Sequence, residues 1–159
     1  MPATVINLQE LLAQENVVLD LQVKSPEEAI EALVDLLARS GRVTDRAAVL
    51  ADILERERLM STGIGSGVAI PHAQSSGAQA FVMALGRTAA QIDFKSFDGK
   101  PVDLIFLIVA PAGQGGFMRV LSSISRLLYT TELLSTLRRV RTAEEAMRTI
   151  ADEEGRMRA

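Results

Sequence analysis

A single histidine, His72, is the side chain in this sequence whose type and surroundings best suit chemistry. It follows Pro71 and a short apolar run, and the segment before that run, Ser61–Gly67, is rich in glycine and hydroxyl side chains. An imidazole beside several backbone N–H donors can carry or transfer a phosphoryl group, because a ring nitrogen is nucleophilic and the donors bind phosphoryl oxygens. The alternative is a hydrogen-bonded histidine at a strand end with no chemical role.

The glycine-rich segment excludes two known loops and leaves two alternatives open. A P-loop requires Gly-Lys-Ser/Thr, whereas Val68 and Ala69 follow Gly67. A dinucleotide-binding fingerprint leads into a helix, whereas a strand is predicted here. The open alternatives are a plain turn and a nest of N–H groups that binds an anion. The residues of such a phosphate-binding nest are Ser61, Thr62, Gly63, Gly65 and Gly67.

Other reactions of His72 lack the residues that they need. A zinc site requires further histidine or cysteine ligands, and the sequence has neither. The nearby serines do not stand in a nucleophile-elbow pattern, which disfavours a Ser-His-Asp hydrolase. Arg56 and Arg58 come a few residues before the glycine-rich segment, at the end of a predicted helix. Either can fold over a bound anion, and the alternative for both is a solvated helix end.

The composition narrows the class of protein. The chain has 159 residues, a formal net charge of −3, five Phe, one Tyr, no Trp and no Cys. This balance offers neither the basic surface nor the stacking aromatics expected of a nucleic-acid partner. We expect no signal peptide and no membrane insertion, because no apolar run approaches the roughly 20 residues of a spanning helix. The expectation is a cytoplasmic protein.

Helix and strand signals alternate along the chain. Ser25–Glu28 supplies a serine cap, a proline at the first helical position and a glutamate at the third, and Gly41 ends the helix. Further helices are predicted to begin at Asn7, Thr44, Met118, Glu132 and Thr142. Strands are predicted over 17–23, 68–70, 80–86 and 102–109. In the first strand, Val17, Leu19, Leu21 and Val23 are expected on one side.

This order predicts an α/β fold, a three-layer α/β/α sandwich around a small central mixed sheet. The apolar run 102–109 is typical of a strand covered on both faces. The length and the absence of a linker predict one domain over residues 1–159. The polar tail 153–159 is expected to fray.

Several of these residues carry a family resemblance. Arg56-Glu57 followed by Ser61–His72 resembles the fructose/mannitol-type (type 2) enzyme IIA domains of the bacterial phosphoenolpyruvate-dependent phosphotransferase system (PTS). The nitrogen-regulatory enzyme IIA branch is the most similar. Asp98–Phe106 resembles a later strand of that family and the turn before it. The helices over Ser25–Leu37 and Thr142–Glu154 also match, so nearly the whole chain is covered.

The resemblance implies a phosphocarrier with an α/β/α fold. It implies that His72 accepts a phosphoryl group from a phosphohistidine on an HPr-type carrier protein. The group then passes to a IIB domain, or remains as a regulatory mark read by a target protein. By motif position, Arg56 is the arginine near the phosphoryl group and Thr62 supplies the hydroxyl of the loop. No cofactor is implied.

One position departs from the family pattern. A second histidine usually stands at the start of the helix after the Pro-Ala loop, and here Phe117 occupies that position. A phenyl ring donates no hydrogen bond and carries no charge. The alternative function is therefore a non-catalytic or slowly phosphorylated regulatory module of the same fold. In both cases we expect an apolar rim for partner proteins, formed by Phe117, Met118 and Met60, whose alternative is simple helix packing.

Overall fold

The computed structural model describes residues 7–130 and 132–158, without the side chains of Thr130 and Arg158. The strands are β1 Leu12–Leu21, β2 Gly63–Gly65, β3 Val68–Ala69, β4 His72–Ser75, β5 Val82–Ile92 and β6 Val102–Pro111. The helices are α1 Leu8–Leu11, α2 Pro26–Arg39, α3 Arg46–Leu59, α4 Phe117–Thr130, α5 Leu133–Leu137 and α6 Ala143–Arg158.

The strands form one mixed sheet in the order β1-β5-β6-β3-β2, and β4 also pairs with β6. The central pair, β5 and β6, is antiparallel. The pairs β1–β5, β3–β6 and β4–β6 are parallel, whereas β2 and β3 form an antiparallel hairpin. Strands β3 and β4 therefore lie one after the other along the same edge of β6.

Strand β6 explains why helices cover both faces of the sheet. Ile105 and Leu107 point into a core shared with α2 and α3. Leu104, Phe106 and Ile108 point into a second core shared with α1, α4, α5 and α6. An alternating strand that is apolar at every position has no solvent face, so each side requires its own layer. The predicted α/β/α sandwich is confirmed.

Helix caps follow the sequence signals with two exceptions. The Ser25 hydroxyl accepts a hydrogen bond from the Glu28 N–H, as predicted. The N-cap of α3 is Asp45, not Thr44, because the Thr44 hydroxyl donates to the Gly77 carbonyl instead. Asn7 stands at the N-cap of α1 but its side chain does not cap the helix.

The first strand differs from its prediction in length and in facing. It begins at Leu12, and a register shift against β5 falls between Val18 and Leu21. Val17 therefore packs into the core beside α4, whereas Leu21 and Val23 pack into the core beside α2. The expectation of one common side is wrong, because a single irregularity in register moves every later side chain to the other face.

The C-terminal tail is helical over the described residues, and its fraying stays a prediction. Helix α6 continues to Arg158, and Glu153 and Glu154 are buried. The Glu154 carboxylate accepts hydrogen bonds from the N–H groups of Leu8 and Gln9, at the start of α1. A carboxylate at exposed helix N–H groups is favourable, so this contact ties the end of the tail to the sheet layer. Ala159 lies outside the described residues.

Candidate functional site

His72 lies at a break in the edge strand, not beyond its end. Pro71 was predicted to stop the strand, but pairing with β6 resumes at His72, opposite Ile108. Across the break the Pro71 carbonyl accepts a hydrogen bond from the Ile108 N–H at 2.9 Å. Proline removes one ladder donor, which suits a position between two short strands. His72 is thus the first residue of β4 and is attached to the most buried strand of the sheet.

The imidazole of His72 is fixed by one of its nitrogens. Its Nδ1 lies 2.7 Å from the Ile70 carbonyl oxygen. Because a carbonyl only accepts, Nδ1 carries the proton and Nε2 keeps its lone pair. The half-buried ring therefore presents Nε2 as a nucleophile in a defined tautomer.

Burial of the ring lowers the pKa of His72 below its usual 6.5, and the positive charge of Arg56 lowers it further. The hydrogen bond to Ile70 raises the pKa, more weakly than burial lowers it but more strongly than the charge of Arg56 does. The ring is consequently neutral at neutral pH, as a nitrogen nucleophile must be.

Arg56 extends from the last turn of α3 toward this site. Its Nη1 donates to the Met60 carbonyl at 2.8 Å, and its charge acts on His72. Arg58 is exposed and pairs with Glu55 at 2.8 Å, in keeping with a solvated helix end. The two arginines therefore differ: the charge of Arg56 acts on His72, whereas Arg58 forms an exposed ion pair with Glu55.

Thr62 lies next to the residue that holds the imidazole. The Thr62 carbonyl accepts from the Ile70 N–H at 3.0 Å. The Thr62 side chain does not present its proton to His72, because its hydroxyl donates to the Glu57 carboxylate. The same carboxylate accepts from the Thr62 N–H at 2.9 Å.

The glycine-rich segment is a β-hairpin whose turn lies at Ser66 and Gly67. Two of its N–H groups already have acceptors in the chain: Gly63 donates to the Ser61 hydroxyl and Ser66 to the Asp98 carboxylate. The Ser61 hydroxyl in turn donates to the Phe94 carbonyl. These donors are therefore bound by acceptors of the same chain and stabilise the hairpin, as in the plain-turn alternative.

The turn of the hairpin is also distant from the imidazole. Val68 pairs with Leu104 and His72 with Ile108, four positions further along β6. At roughly 3.3 Å per residue this separates them by about 13 Å. Thr62 and Gly63 lie at the His72 end of the hairpin, whereas Gly65 and Gly67 lie toward its far end.

Phe117, the first residue of α4, contacts the imidazole directly. The ring centroids are 5.4 Å apart at an interplanar angle of 61°, an edge-on arrangement. Such aromatic contacts contribute about 0.5–1.5 kcal/mol and orient both rings. The phenyl group thus restrains His72 without offering a hydrogen-bond donor.

Exposed apolar side chains flank the site. Met60 and Met118 are each 71% exposed, and Leu59 is 75% exposed. Met60 is the residue bound by Arg56, and Met118 follows Phe117. Exposed methionines are adaptable contact surfaces for partner proteins. Of the predicted rim, Met60 and Met118 are exposed, whereas Phe117 packs partly against the core.

Over the part of the chain that the structure describes, no helix has the length and apolar character to cross a membrane. Within the same residues, no three acidic or histidine side chains form a group able to hold a metal ion.

Glu57 is the residue of the site whose contacts the sequence did not indicate. Glu55 pairs with the neighbouring Arg58, whereas Glu57 binds Thr62 instead of an adjacent arginine. The available signal was the spacing: a glutamate five residues before a threonine, in a helix that ends between them without a glycine stop.

The family model described as "Phosphoenolpyruvate-dependent sugar phosphotransferase system, EIIA 2" matches residues 10–153. A nitrogen regulatory protein of Bradyrhizobium diazoefficiens is 36% identical over 140 residues, covering 86% of this chain and 90% of that protein. The fructose-specific EIIABC component of Bacillus subtilis is 36% identical over 133 residues, covering 83% of this chain. The chain spans only 21% of that longer relative.

Among solved structures, the nitrogen regulatory protein IIA-Ntr of Neisseria meningitidis superposes with a TM-score of 0.82 at 34% identity. The match covers 90% of this chain and 98% of that one. Both the length of the family match and the similarity in fold exceed what a shared motif would produce. The chain belongs to the EIIA type 2 family of the phosphoenolpyruvate-dependent sugar phosphotransferase system, a family of phosphocarriers.

Proposed function

We propose that Nε2 of His72 accepts a phosphoryl group from a phosphohistidine on an HPr-type carrier protein. The Nε2 lone pair forms a new N–P bond while the N–P bond of the donor breaks, and its electron pair returns to the donor imidazole. The proton stays on Nδ1 and is donated to the Ile70 carbonyl, so the phosphorylated ring carries a positive charge beside the phosphoryl oxygens.

The observation that carries this proposal is the state of the imidazole. The ring is held through Nδ1 with Nε2 free, and it is neutral because burial and Arg56 lower its pKa. This is the state that a nitrogen nucleophile needs before attack. Arg56 supplies the cation that stabilises negative charge on the transferred group.

The surface around His72 supports docking of another protein. In-line transfer requires the histidine of the donor protein to approach within a few ångströms of His72. The surface around His72 must therefore be able to contact the donor protein. Met60, directly after α3, and Met118, in α4, are both exposed, and each adjoins in sequence or contact a residue that acts on His72. We place the partner on this rim.

The acceptor of the phosphoryl group is the next part of the proposal. One relative is an EIIABC component, in which the A part is fused to B and C parts, and another is named a nitrogen regulatory protein. These names support two routes: transfer to a IIB domain, or use of the phosphoryl group as a mark that a regulatory target reads. A cytoplasmic location accompanies both routes.

The test is phosphorylation by the carrier relay, followed by intact-mass measurement. We expect one phosphoryl group on the wild-type chain, stable to base and labile to acid, as phosphohistidine is. His72→Ala should take none. Ser76→Ala, a truncation of an exposed hydroxyl close to the same strand, is the matched control and should be labelled normally. Equal labelling of His72→Ala would refute the proposal.

Phe117 favours a second candidate, a regulatory module that is phosphorylated slowly or not at all. It places a phenyl ring 5.4 Å from the imidazole, where it donates nothing to a phosphoryl group. Phe117→His would add a donor at this point. If the wild-type chain is not labelled by the relay and Phe117→His is, the second candidate is the better description. Fast, complete labelling of the wild type excludes it.

A further inference from the structure

We propose that Glu57 is a positioning residue for His72, acting through Thr62 and Ile70. The effect on transfer rests on the proposed function of His72, but the effect on the imidazole itself does not. Glu57 touches neither the imidazole nor the space in front of Nε2 in any described contact. Its role is to hold the strand segment that holds the ring.

The first link is the pairing of Glu57 with Thr62. One carboxylate oxygen accepts from the Thr62 N–H at 2.9 Å and the other from the Thr62 hydroxyl. Thr62 is only 4% exposed and Glu57 is half-buried, so these bonds are partly shielded from water. Hydrogen bonds to a carboxylate in such surroundings are about twice as strong as neutral ones. The Thr62 backbone is thereby fixed to the last turn of α3.

The second link runs from Thr62 to the ring. The Thr62 carbonyl accepts from the Ile70 N–H at 3.0 Å, and the Ile70 carbonyl accepts from Nδ1 of His72 at 2.7 Å. Pro71 follows Ile70 and has no N–H of its own to fix this stretch. The position of the Ile70 carbonyl therefore depends on its bond to Thr62, and so on Glu57.

Arg56 and Glu57 act on neighbouring points of the same connection. Arg56 donates to the Met60 carbonyl while Glu57 accepts from Thr62, two residues later. The chain leaves α3 at Met60 in an extended conformation, without a glycine to turn it. Two adjacent side chains of opposite charge thus set the direction in which the chain enters the hairpin.

This arrangement gives different roles to the Thr62 hydroxyl and the Arg56 guanidinium. The Thr62 hydroxyl donates its proton to the Glu57 carboxylate. It therefore has no proton left to donate to an incoming phosphoryl group, only lone pairs. Arg56 can leave the Met60 carbonyl and remains available to phosphoryl oxygens. Thr62 serves as a structural link in this proposal, not as the donor that the family pattern suggested.

The lone histidine allows a direct test on the unphosphorylated protein. Its two ring nitrogens give a single pair of ¹⁵N signals, whose shifts report which nitrogen carries the proton. We expect the Nδ1–H form in the wild type and a mixture of both tautomers in Glu57→Gln, because the amide offers one acceptor where the carboxylate offers two. Glu55→Gln removes the same charge two residues away and should retain the wild-type tautomer.

Transfer kinetics supply the second measurement. In Glu57→Gln we expect kcat for phosphorylation to fall by up to about 100-fold, while KM for the carrier protein stays unchanged, because the rim is intact. An unaltered tautomer in folded Glu57→Gln would overturn the proposal. If no form of the chain is labelled, the proposed function fails, yet the ring signals still decide the role of Glu57.

A pair of variants at Thr62 keeps the test valid if Glu57→Gln does not fold. Thr62→Ser preserves both bonds to Glu57 and should keep the wild-type tautomer. Thr62→Val removes the hydroxyl bond and should shift the tautomer mixture in the same direction as Glu57→Gln. Identical ring signals in the two Thr62 variants would contradict the proposal.

Discussion

The two ends of the Gly63–Ala69 hairpin have the same glycine-rich composition but different properties. At the far end, Tyr129 donates to the Ile64 carbonyl, Arg138 to the Ser66 carbonyl and Ser66 to Asp98. The end near His72 is also bonded within the chain, through Thr62 and Gly63, but it lies beside an imidazole whose Nδ1 is bound and whose Nε2 has no described hydrogen bond. The far end serves the turn, whereas the near end adjoins the candidate nucleophile.

The glycines at the far end are explained by geometry. Gly65 and Gly67 have φ values of +94° and +80°, which side chains other than glycine rarely adopt. A Cβ on Gly67 would lie 2.9 Å from an Asp103 oxygen, within the ion pair that Asp103 forms with Arg138. One glycine-rich motif thus forms a tight turn at one end and adjoins the candidate nucleophile at the other.

The largest expected effect is at the end near His72. Arg56→Ala should slow phosphorylation by roughly 10²–10³-fold, because the transferred group loses its cationic partner. Thermal unfolding should change little. Arg58→Ala, which removes an exposed arginine two residues later, is the control. Rapid-quench labelling measures both, and equal rates in the two variants would mean that Arg56 has no part in transfer.

The next effect concerns the turn of the hairpin. Gly67→Ala should destabilise the protein by about 1–2 kcal/mol, the usual cost of a left-handed alanine. Labelling at a temperature where the variant is folded should be close to normal. Gly115→Ala, whose added Cβ meets nothing within 4 Å, is the matched control in chemical unfolding. Strong loss of labelling in folded Gly67→Ala would instead favour the anion nest.

A smaller effect is expected from Tyr129→Phe. The change removes one hydroxyl shared between the carbonyls of Ile64 and Gly65, at 2.7 and 3.2 Å. The free energy of unfolding should fall by about 0.5–1 kcal/mol, because the freed carbonyls are near water. Urea titration measures the difference. Transfer rates should match the wild type, and a parallel loss of rate would show that the two ends are coupled.

The smallest effect is on pH dependence. Because the folded-state pKa of His72 is lowered, the neutral nucleophile persists below pH 6.5, and labelling should be nearly constant from neutral pH down to that point. The unfolded chain binds the proton more readily, so the stability from this group is complete above 6.5 and declines as the pH falls toward the folded pKa. NMR titration of the single imidazole should give a pKa below 6.5, and a higher one in Arg56→Ala.

Much of the fold was predictable because local signals and burial agree. The Ser25 cap and the apolar strand 102–109, which only Asp103 interrupts, each have one structural solution, and both predictions are confirmed. The continuation of the edge strand past Pro71 was not predictable from local sequence, because it depends on pairing with Ile108. The same holds for the burial of Glu154, whose partner is at the other end of the chain.

The site shows the same division. His72 and Arg56 stand out by residue type and spacing, and in the structure the charge of Arg56 lowers the pKa of His72. Glycine spacing could not distinguish a turn from an anion nest, because both need the same backbone freedom. The Ser66 N–H is bound by the Asp98 carboxylate, which lies 32 residues away in the sequence and makes this N–H part of a turn. Long-range acceptors of this kind are set by the tertiary fold and leave no local pattern.

The contact between Glu154 and α1 has a consequence for how this domain can be joined to others. It brings the described parts of both chain termini together beside β1, because α1 and α6 both pack there. Strand β1 lies three positions from β4 in the sheet, since β5 and β6 stand between them. A polypeptide joined to either described end would therefore start on the β1 side of the sheet, three strands from the one that carries His72.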